Sequence, residues 1–297
     1  MLQAKSLTDN FGRTIDYLRL SVTDRCNLNC TYCKHAAYGA EKLISFSEIT
    51  RAVRLFAACG IRKIRLTGGE PLVRGDICDI VRSCKETAGV LETVLTTNGI
   101  LLPEMAAGLK EAGLCRVNVS IDSLNPKQYK QIARAESLGR ALEGVDAAIR
   151  AGLTPVKINA VLMRGVNDDE MGDYIALAEK KDVQVRFIEY MPMGKAREGR
   201  YLSADEAEGR MPECKGKIDF ITPVSRPFCR QCNRIRVTAD CRIRHCLGNN
   251  TETDLREILQ QDDKTAIELI RAAVLKKPEK GFSAGFETDR GMGNIGG

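Results

Sequence analysis

The chain has 297 residues, 43% hydrophobic and 28% charged, with a net charge of +6, twelve cysteines and no tryptophan. That length buries a large core in one or two domains without disulfide staples; no apolar run approaches the ~18 residues that span a bilayer, and the opening MLQAKSLTDNFGR has no apolar secretory segment. A reducing, cytoplasmic location with no membrane contact is therefore expected, and the mild charge and 5% aromatic content argue against nucleic acid as a partner.

Residues 1–15 read as a lead-in. From residue 17 onward short apolar strands alternate with amphipathic helices. The strands are YLRLSVT (17–23), KIRLTGG (63–69), TVLTTNG (93–99), RVNVSID (116–122), PVKINAVLM (155–163) and QVRFIEYM (184–191). Helical patterns fall between them at 47–59, 74–87, 103–113, 138–152 and 168–181. Strands and helices in this order predict a parallel α/β sheet with right-handed crossovers, either a curved partial barrel or an open sheet. After residue 192 the regularity fades into a polar connection. Then come KIDFITPV (217–224), a cysteine-rich hairpin pattern, a helix near 253–276 and the glycine-rich end GMGNIGG. The expected organisation is a barrel over 16–195, a C-terminal region over 196–280 and a tail over 281–297.

Polar residues on the strands keep a two-residue period. Lys63 and Arg65 share one face of their strand, Lys157 and Asn159 share another, and Arg186 lies on a face with Ile188 and Tyr190. Both faces of a parallel sheet are normally apolar. Such cations need partners, either carboxylates on neighbouring strands or a shared anionic ligand.

CNLNCTYC places Cys26, Cys30 and Cys33 just after the first strand. Zinc, with His35 as a fourth ligand, and a four-iron cluster open at one iron both fit this spacing. The position favours an active site, since parallel sheets place theirs beyond the C-terminal ends of their strands. The motif C-x3-C-x2-C, with Tyr32 before the last cysteine, together with TGGEP at 67–71, resembles the radical S-adenosylmethionine superfamily. TGGEP alone reads only as a turn, since glycine permits unusual backbone angles.

A second set, FCRQCNRIRVTADCRIRHC (228–246), holds Cys229, Cys232, Cys241 and Cys246. A four-cysteine zinc hairpin fits it. Arg234 and Arg236 alternate beside it, and guanidinium forks suit phosphates. With LRLSVTDRC, KIRLTGGEPLVR, RVNVSIDSL, RFIEYMPMG and the terminal IGG, the chain resembles the GTP 3′,8-cyclase family over nearly its whole length.

The resemblance implies an incomplete (β/α)6 barrel of the TIM type with a C-terminal part carrying a second cluster. Two [4Fe-4S] clusters would be held by Cys26, Cys30 and Cys33 and by Cys229, Cys232 and Cys246. S-adenosylmethionine would meet Tyr32, Gly69, Ser120 and Met191. GTP would meet Arg19, Lys63, Arg65, Thr96, Lys157, Arg234 and Arg236. Arg186, Gly296 and Gly297 would complete the catalytic set, the tail being long enough to reach inward at about 3.3 Å per residue. A 5′-deoxyadenosyl radical would take hydrogen from ribose C3′, and C3′ would attack guanine C8. Implied partners are an electron donor of the flavodoxin or ferredoxin type and, downstream, a cyclic pyranopterin monophosphate synthase; a homodimer stays open. Two departures stand out. The connection after RFIEYMPMG is markedly short for that family, and Cys241 stands where the family usually has Gly. A peptide-modifying enzyme of the same superfamily is the nearest rival reading, and a zinc-stabilised binding module a more distant one.

Overall fold

The computed structural model describes residues 6–33, 42–191, 199–211, 217–281, 290–292 and 295. Its elements in chain order begin with β1 (Tyr17–Ser21), α1 (Phe46–Ala58), β2 (Lys63–Thr67), α2 (Ile77–Glu86), β3 (Glu92–Thr97), α3 (Leu102–Glu111) and β4 (Arg116–Ser120). They continue with α4 (Pro126–Ala133), α5 (Leu138–Arg150), β5 (Lys157–Leu162), α6 (Met171–Lys181), β6 (Gln184–Glu189), α7 (Ala204–Arg210) and β7 (Ile218–Ile221). The last are β8 (Arg234–Val237), β9 (Arg242–Arg244), β10 (Glu252–Asp254), α8 (Leu255–Leu259) and α9 (Asp263–Leu275).

One sheet takes in every strand, in the order β10-β9-β8-β1-β2-β3-β4-β5-β6-β7. The six expected βα units form its centre and pair in parallel. β7 extends one edge, and β8 joins the other, parallel to β1. β9 and β10 then fold back as antiparallel strands.

Alternation divides the sheet into two unlike faces. Leu18, Leu20, Ile64, Leu66, Val117, Val119, Ile158, Val185, Phe187, Ile235 and Val237 are buried on one face. They share a core with Ile49, Val53 and Phe56 of α1, Ile80 and Val81 of α2, and Leu109 of α3. Each such side chain contributes about 1.5–3 kcal/mol on burial, which anchors the strands in register. The other face carries Tyr17, Arg19, Lys63, Arg65, Arg116, Lys157, Arg186, Arg234 and Arg236 at the alternate positions. A sheet face this rich in cations departs from the ordinary parallel sheet and leaves that face for a ligand.

Three elements differ from the sequence reading. The C-terminal helix is broken in two, because Asp262 accepts from the backbone amides of Lys264 and Thr265 and starts α9 afresh. The polar connection contains α7, opened by a capping box between Ser203 and Glu206. The short α4 begins at Pro126, with Asn125 as its cap. Cys59 and Cys84 are buried core residues, and burial raises their thiols to about 11 and about 12; Cys78 and Cys115 are only partly buried.

Candidate active site

The first cysteine loop leaves the C-terminal end of β1 and is tied down on two sides. The amide of Thr31 donates to the Ile132 carbonyl at the end of α4, 2.9 Å away. The TGGEP loop after β2 grips the other side: Gly69 N–H donates to Thr23 O and Glu70 N–H to Arg25 O, both at 2.8 Å. The two glycines are there for space. A Cβ on Gly69 would lie 2.3 Å from the Arg25 carbonyl oxygen, and one on Gly68 would lie 2.5 Å from that of Thr23. Close approach of two backbones, not a left-handed φ, is what requires glycine here, which corrects the turn-based reading.

Glu70 is buried beneath this contact. It accepts from Leu72 N–H at 3.0 Å, Thr97 Oγ1 at 2.7 Å and Asn98 N–H at 2.7 Å, and burial still raises its carboxyl to about 7. Asn98 Nδ2 then donates to Asn27 Oδ1 at 2.7 Å, inside the cysteine loop. Tyr32 donates its hydroxyl to Asp122 just past β4, at 2.7 Å. Ser120 ends β4, and Met191 follows β6. Tyr32, Gly69, Ser120 and Met191 therefore all sit at the C-terminal edge of the sheet, the same edge from which the loop of Cys26, Cys30 and Cys33 leaves β1.

None of these cysteines is in a disulfide. Burial raises the thiol of Cys30 well above its ordinary value, and Asp122, Cys33 and Cys26 add to this; burial and Glu70 raise Cys26. A pocket of buried sulfur beside carboxylates becomes anionic only when a cation is present to share the charge. Among the described residues no three His, Cys, Asp or Glu groups converge on a single metal ion. A cubane cluster places each thiolate on a different iron and so suits wider spacing. His35 lies outside the described residues.

Below this edge the cations form rows. Arg236, Arg19 and Arg65 stand at one level on β8, β1 and β2; Arg234, Tyr17 and Lys63 stand at the next. Burial and then Arg236 lower the Arg19 pKa well below its usual value; burial and then Arg234 bring Arg236 down to about 10. Arg65 Nε donates to the Tyr17 hydroxyl, and its Nη1 donates to Thr96 Oγ1 at 2.9 Å. Burial raises the Tyr17 phenol, but Arg65, Arg19 and Arg234 together outweigh it and bring it to about 8.

Farther along the sheet, Glu92 takes both Lys63 at 2.5 Å and Arg116 at 2.8 Å, and Arg186 reaches Asp219 at 3.3 Å. Lys157 has no ion pair among the described residues, and burial with Arg186 and Arg116 lowers it to about 8. The amide oxygens of Asn159 and Gln184 on the same face are buried without a hydrogen-bond partner. Tyr17, Arg116 and Asn118 lie on the same face as Lys63 and Arg65; the two-residue period could have marked them, but the sequence reading does not single them out.

The second cysteine set lies before the N-terminal end of β8. Gly281 N–H donates to Cys229 Sγ at 3.5 Å, and a Cβ on Gly281 would come within 2.4 Å of Cys246 Sγ. Lys277 Nζ lies 4.0 Å from Cys232 Sγ. The stretch 277–281 thus wraps Cys229, Cys232 and Cys246. Arg13 holds it there, donating to Cys229 O at 2.8 Å, Pro278 O at 2.7 Å and Glu279 O at 3.0 Å.

Cys241 is elsewhere, buried in the main core at the β8–β9 turn with a φ of 66°, a region that favours glycine. Burial raises its thiol to about 12, and among the described residues no group of metal-ligating side chains includes it. Cys214, Gly296 and Gly297 lie outside the described residues. Next to the terminal glycines, Ile295 is fully buried, and Arg290 makes a paired bond to Asp240 at 3.0 and 2.9 Å.

Residues 20–178 match the family model described as Radical SAM superfamily, and residues 203–283 match Molybdenum Cofactor Synthesis C. The chain is 41% identical to the GTP 3′,8-cyclase of Alkaliphilus oremlandii over 320 residues, covering 98% of this chain and 100% of the relative. It is 40% identical to that of Moorella thermoacetica over 323 residues, with the same coverage. Both alignments exceed the chain's own length, so these relatives carry residues with no counterpart here. In fold the chain is similar to Streptococcus suis SuiB, with a TM-score of 0.67 at 15% identity over 90% of this chain and 67% of SuiB.

Proposed function

We infer how the site works from its family: the chain belongs to the radical S-adenosylmethionine superfamily and, within it, to the GTP 3′,8-cyclases of molybdenum cofactor biosynthesis. A [4Fe-4S] cluster and S-adenosylmethionine are the family's cofactors, and GTP is the substrate. In our reading Cys26, Cys30 and Cys33 hold the first cluster, with Tyr32, Gly69, Ser120 and Met191 around S-adenosylmethionine. Cys229, Cys232 and Cys246 hold a second cluster. When bound, the first cluster and S-adenosylmethionine supply the electron and the alkyl radical that start the reaction on the GTP ribose.

The protein's own part is position and charge. Arg19, Arg65 and Arg236 form a cationic shelf for the nucleotide between the two cysteine sets, with Arg234 and Lys157 beside it. Thr96 and Tyr17 fix the plane of the Arg65 guanidinium, and Arg186 and Lys63, each already on a carboxylate, shape the shelf's margin. Gly296 and Gly297 remain assigned to the same site by the resemblance alone. The carrying observation is the register Arg236–Arg19–Arg65 on hydrogen-bonded strands that join one cysteine set to the other. It favours a nucleotide over a peptide. An external one-electron donor is required, and no helix among the described residues is long and apolar enough to cross a membrane.

Reconstituted protein incubated anaerobically with GTP, S-adenosylmethionine and dithionite is expected to form 3′,8-cyclo-7,8-dihydro-GTP, identified by mass spectrometry and NMR. Cys232→Ala is expected to release 5′-deoxyadenosine but no cyclised nucleotide. Cyclisation at the parent rate in that variant would remove the second cysteine set from the mechanism.

GTP affinity should also fall as pH rises through 8. Above that value the Tyr17 phenolate competes for the arginines and Lys157 loses its proton. Each effect weakens binding by about tenfold one unit above its pKa. Calorimetric titration between pH 7 and 9 should show the slope reduced in Tyr17→Phe and in Lys157→Met. An unchanged slope in the double variant would clear both groups.

A further inference from the structure

We propose that Lys277 is the fixed counter-charge of the second cysteine site, a positioning residue that sets the reduction potential of the cluster held there. This rests on the second-cluster reading above. Lys277 lies just past the end of α9, in a run, LKKPEK, that looks like an ordinary solvated helix terminus. It is instead only 4% exposed. Its Nζ lies 2.8 Å from Arg234 O, 3.0 Å from His245 O and 4.0 Å from Cys232 Sγ.

Three acceptors around one nitrogen call for three N–H donors, which an ammonium has and a neutral amine lacks. Among the described residues no carboxylate lies within ion-pair distance of it. A buried ammonium without a carboxylate is costly unless another anion balances it. The sulfur atoms are the nearest groups that can become anionic. Three thiolates on a four-iron cluster give a net negative charge, and reduction adds one more. A cation held 4.0 Å from one ligand sulfur therefore favours the reduced form more than the oxidised one. Net charge and hydrogen bonds to sulfur are the levers by which proteins set such potentials.

The surroundings hold the ammonium in place. Arg234 O and His245 O belong to the residues that bring Arg234 to the shelf and Cys246 to the site, so the same contact that neutralises the cluster aligns the strand. Arg13, bonded to the Pro278 and Glu279 carbonyls, prevents that stretch from swinging away. His245 itself is buried, and its carbonyl oxygen accepts from Lys277.

The test is a redox titration of the holoprotein followed by electron paramagnetic resonance, with iron counted in each sample. The parent should hold about eight iron and show two one-electron steps. Lys277→Met should keep its iron and make the second cluster about tenfold harder to reduce, a shift of about 59 mV for a one-electron couple. The first cluster should not move and serves as the reference. Full iron with an unmoved second potential would overturn the proposal. If Lys277→Met loses half its iron, Lys277→Arg decides: restored iron supports the charge, and continued loss overturns it in favour of a purely steric role. A parent protein with only about four iron would instead sink the second-cluster reading.

Discussion

Cys30→Ala is expected to abolish release of 5′-deoxyadenosine from S-adenosylmethionine and to lower bound iron from about eight to about four per chain. Burial opposes ionisation of the Cys30 thiol, and Asp122 and the two neighbouring sulfurs add to it. A bound cation would offset that cost. With two ligands left, the cluster has no third point of attachment. The second cysteine set, at the other end of the neighbouring strand, should keep its iron and its visible absorption. Retention of 5′-deoxyadenosine release at the parent rate would show that the first cluster is held elsewhere.

Gly69→Ala should be nearly as damaging, although it adds a single methyl group. The new Cβ would meet two backbone oxygens, of Arg25 at 2.3 Å and of Asp24 at 2.6 Å, and neither can rotate away. One loop must move, at about 1–3 kcal/mol for the overpacking. The hydrogen bonds from Gly69 and Glu70 to the cysteine loop would loosen, adding about 0.5–1.5 kcal/mol each. If most of this falls on cofactor binding, affinity for S-adenosylmethionine drops by roughly a hundredfold or more. Gly75→Ala is the control, since a Cβ there meets nothing within 4 Å. Equal S-adenosylmethionine affinity in the two variants would mean that the packing of these loops does not matter to the cofactor.

Much of the barrel was legible because its strands and helices keep strict periods. The alternation that put Lys63 with Arg65 on one face depends only on strand geometry, and the sheet reproduces it and adds Arg19 beside Arg65. Other features depend on contacts between distant residues. Nothing local in LKKPEK distinguishes Lys277 from Lys276, and what holds it buried is Arg234 of β8 and His245 just past β9. The pairing of β8 with β1 brings Arg236 beside Arg19 from far along the chain, and no short-range pattern encodes it. The TGGEP loop was legible as a motif, but its glycines were assigned the wrong physical reason, because the opposing backbone belongs to another loop. Cys241 shows the reverse: its left-handed φ is a local fact, concealed by a residue type that rarely adopts it.

The β1–β8 pairing also sets an order of events as the chain leaves the ribosome. At roughly 5–20 residues per second, β8 emerges on the order of 10–40 s after β1, and only then can it complete the sheet beside it. Until that moment β1 is an open edge with unpaired backbone groups, the feature that invites one nascent chain to pair with another. Arg19 sits in the middle of that edge, and a charge there discourages apolar strands from adding on. The residue assigned to the nucleotide in the finished enzyme thus guards the unfinished one. Replacing it with leucine should lower the yield of soluble protein as well as the affinity for GTP, and GTP added afterwards would rescue neither.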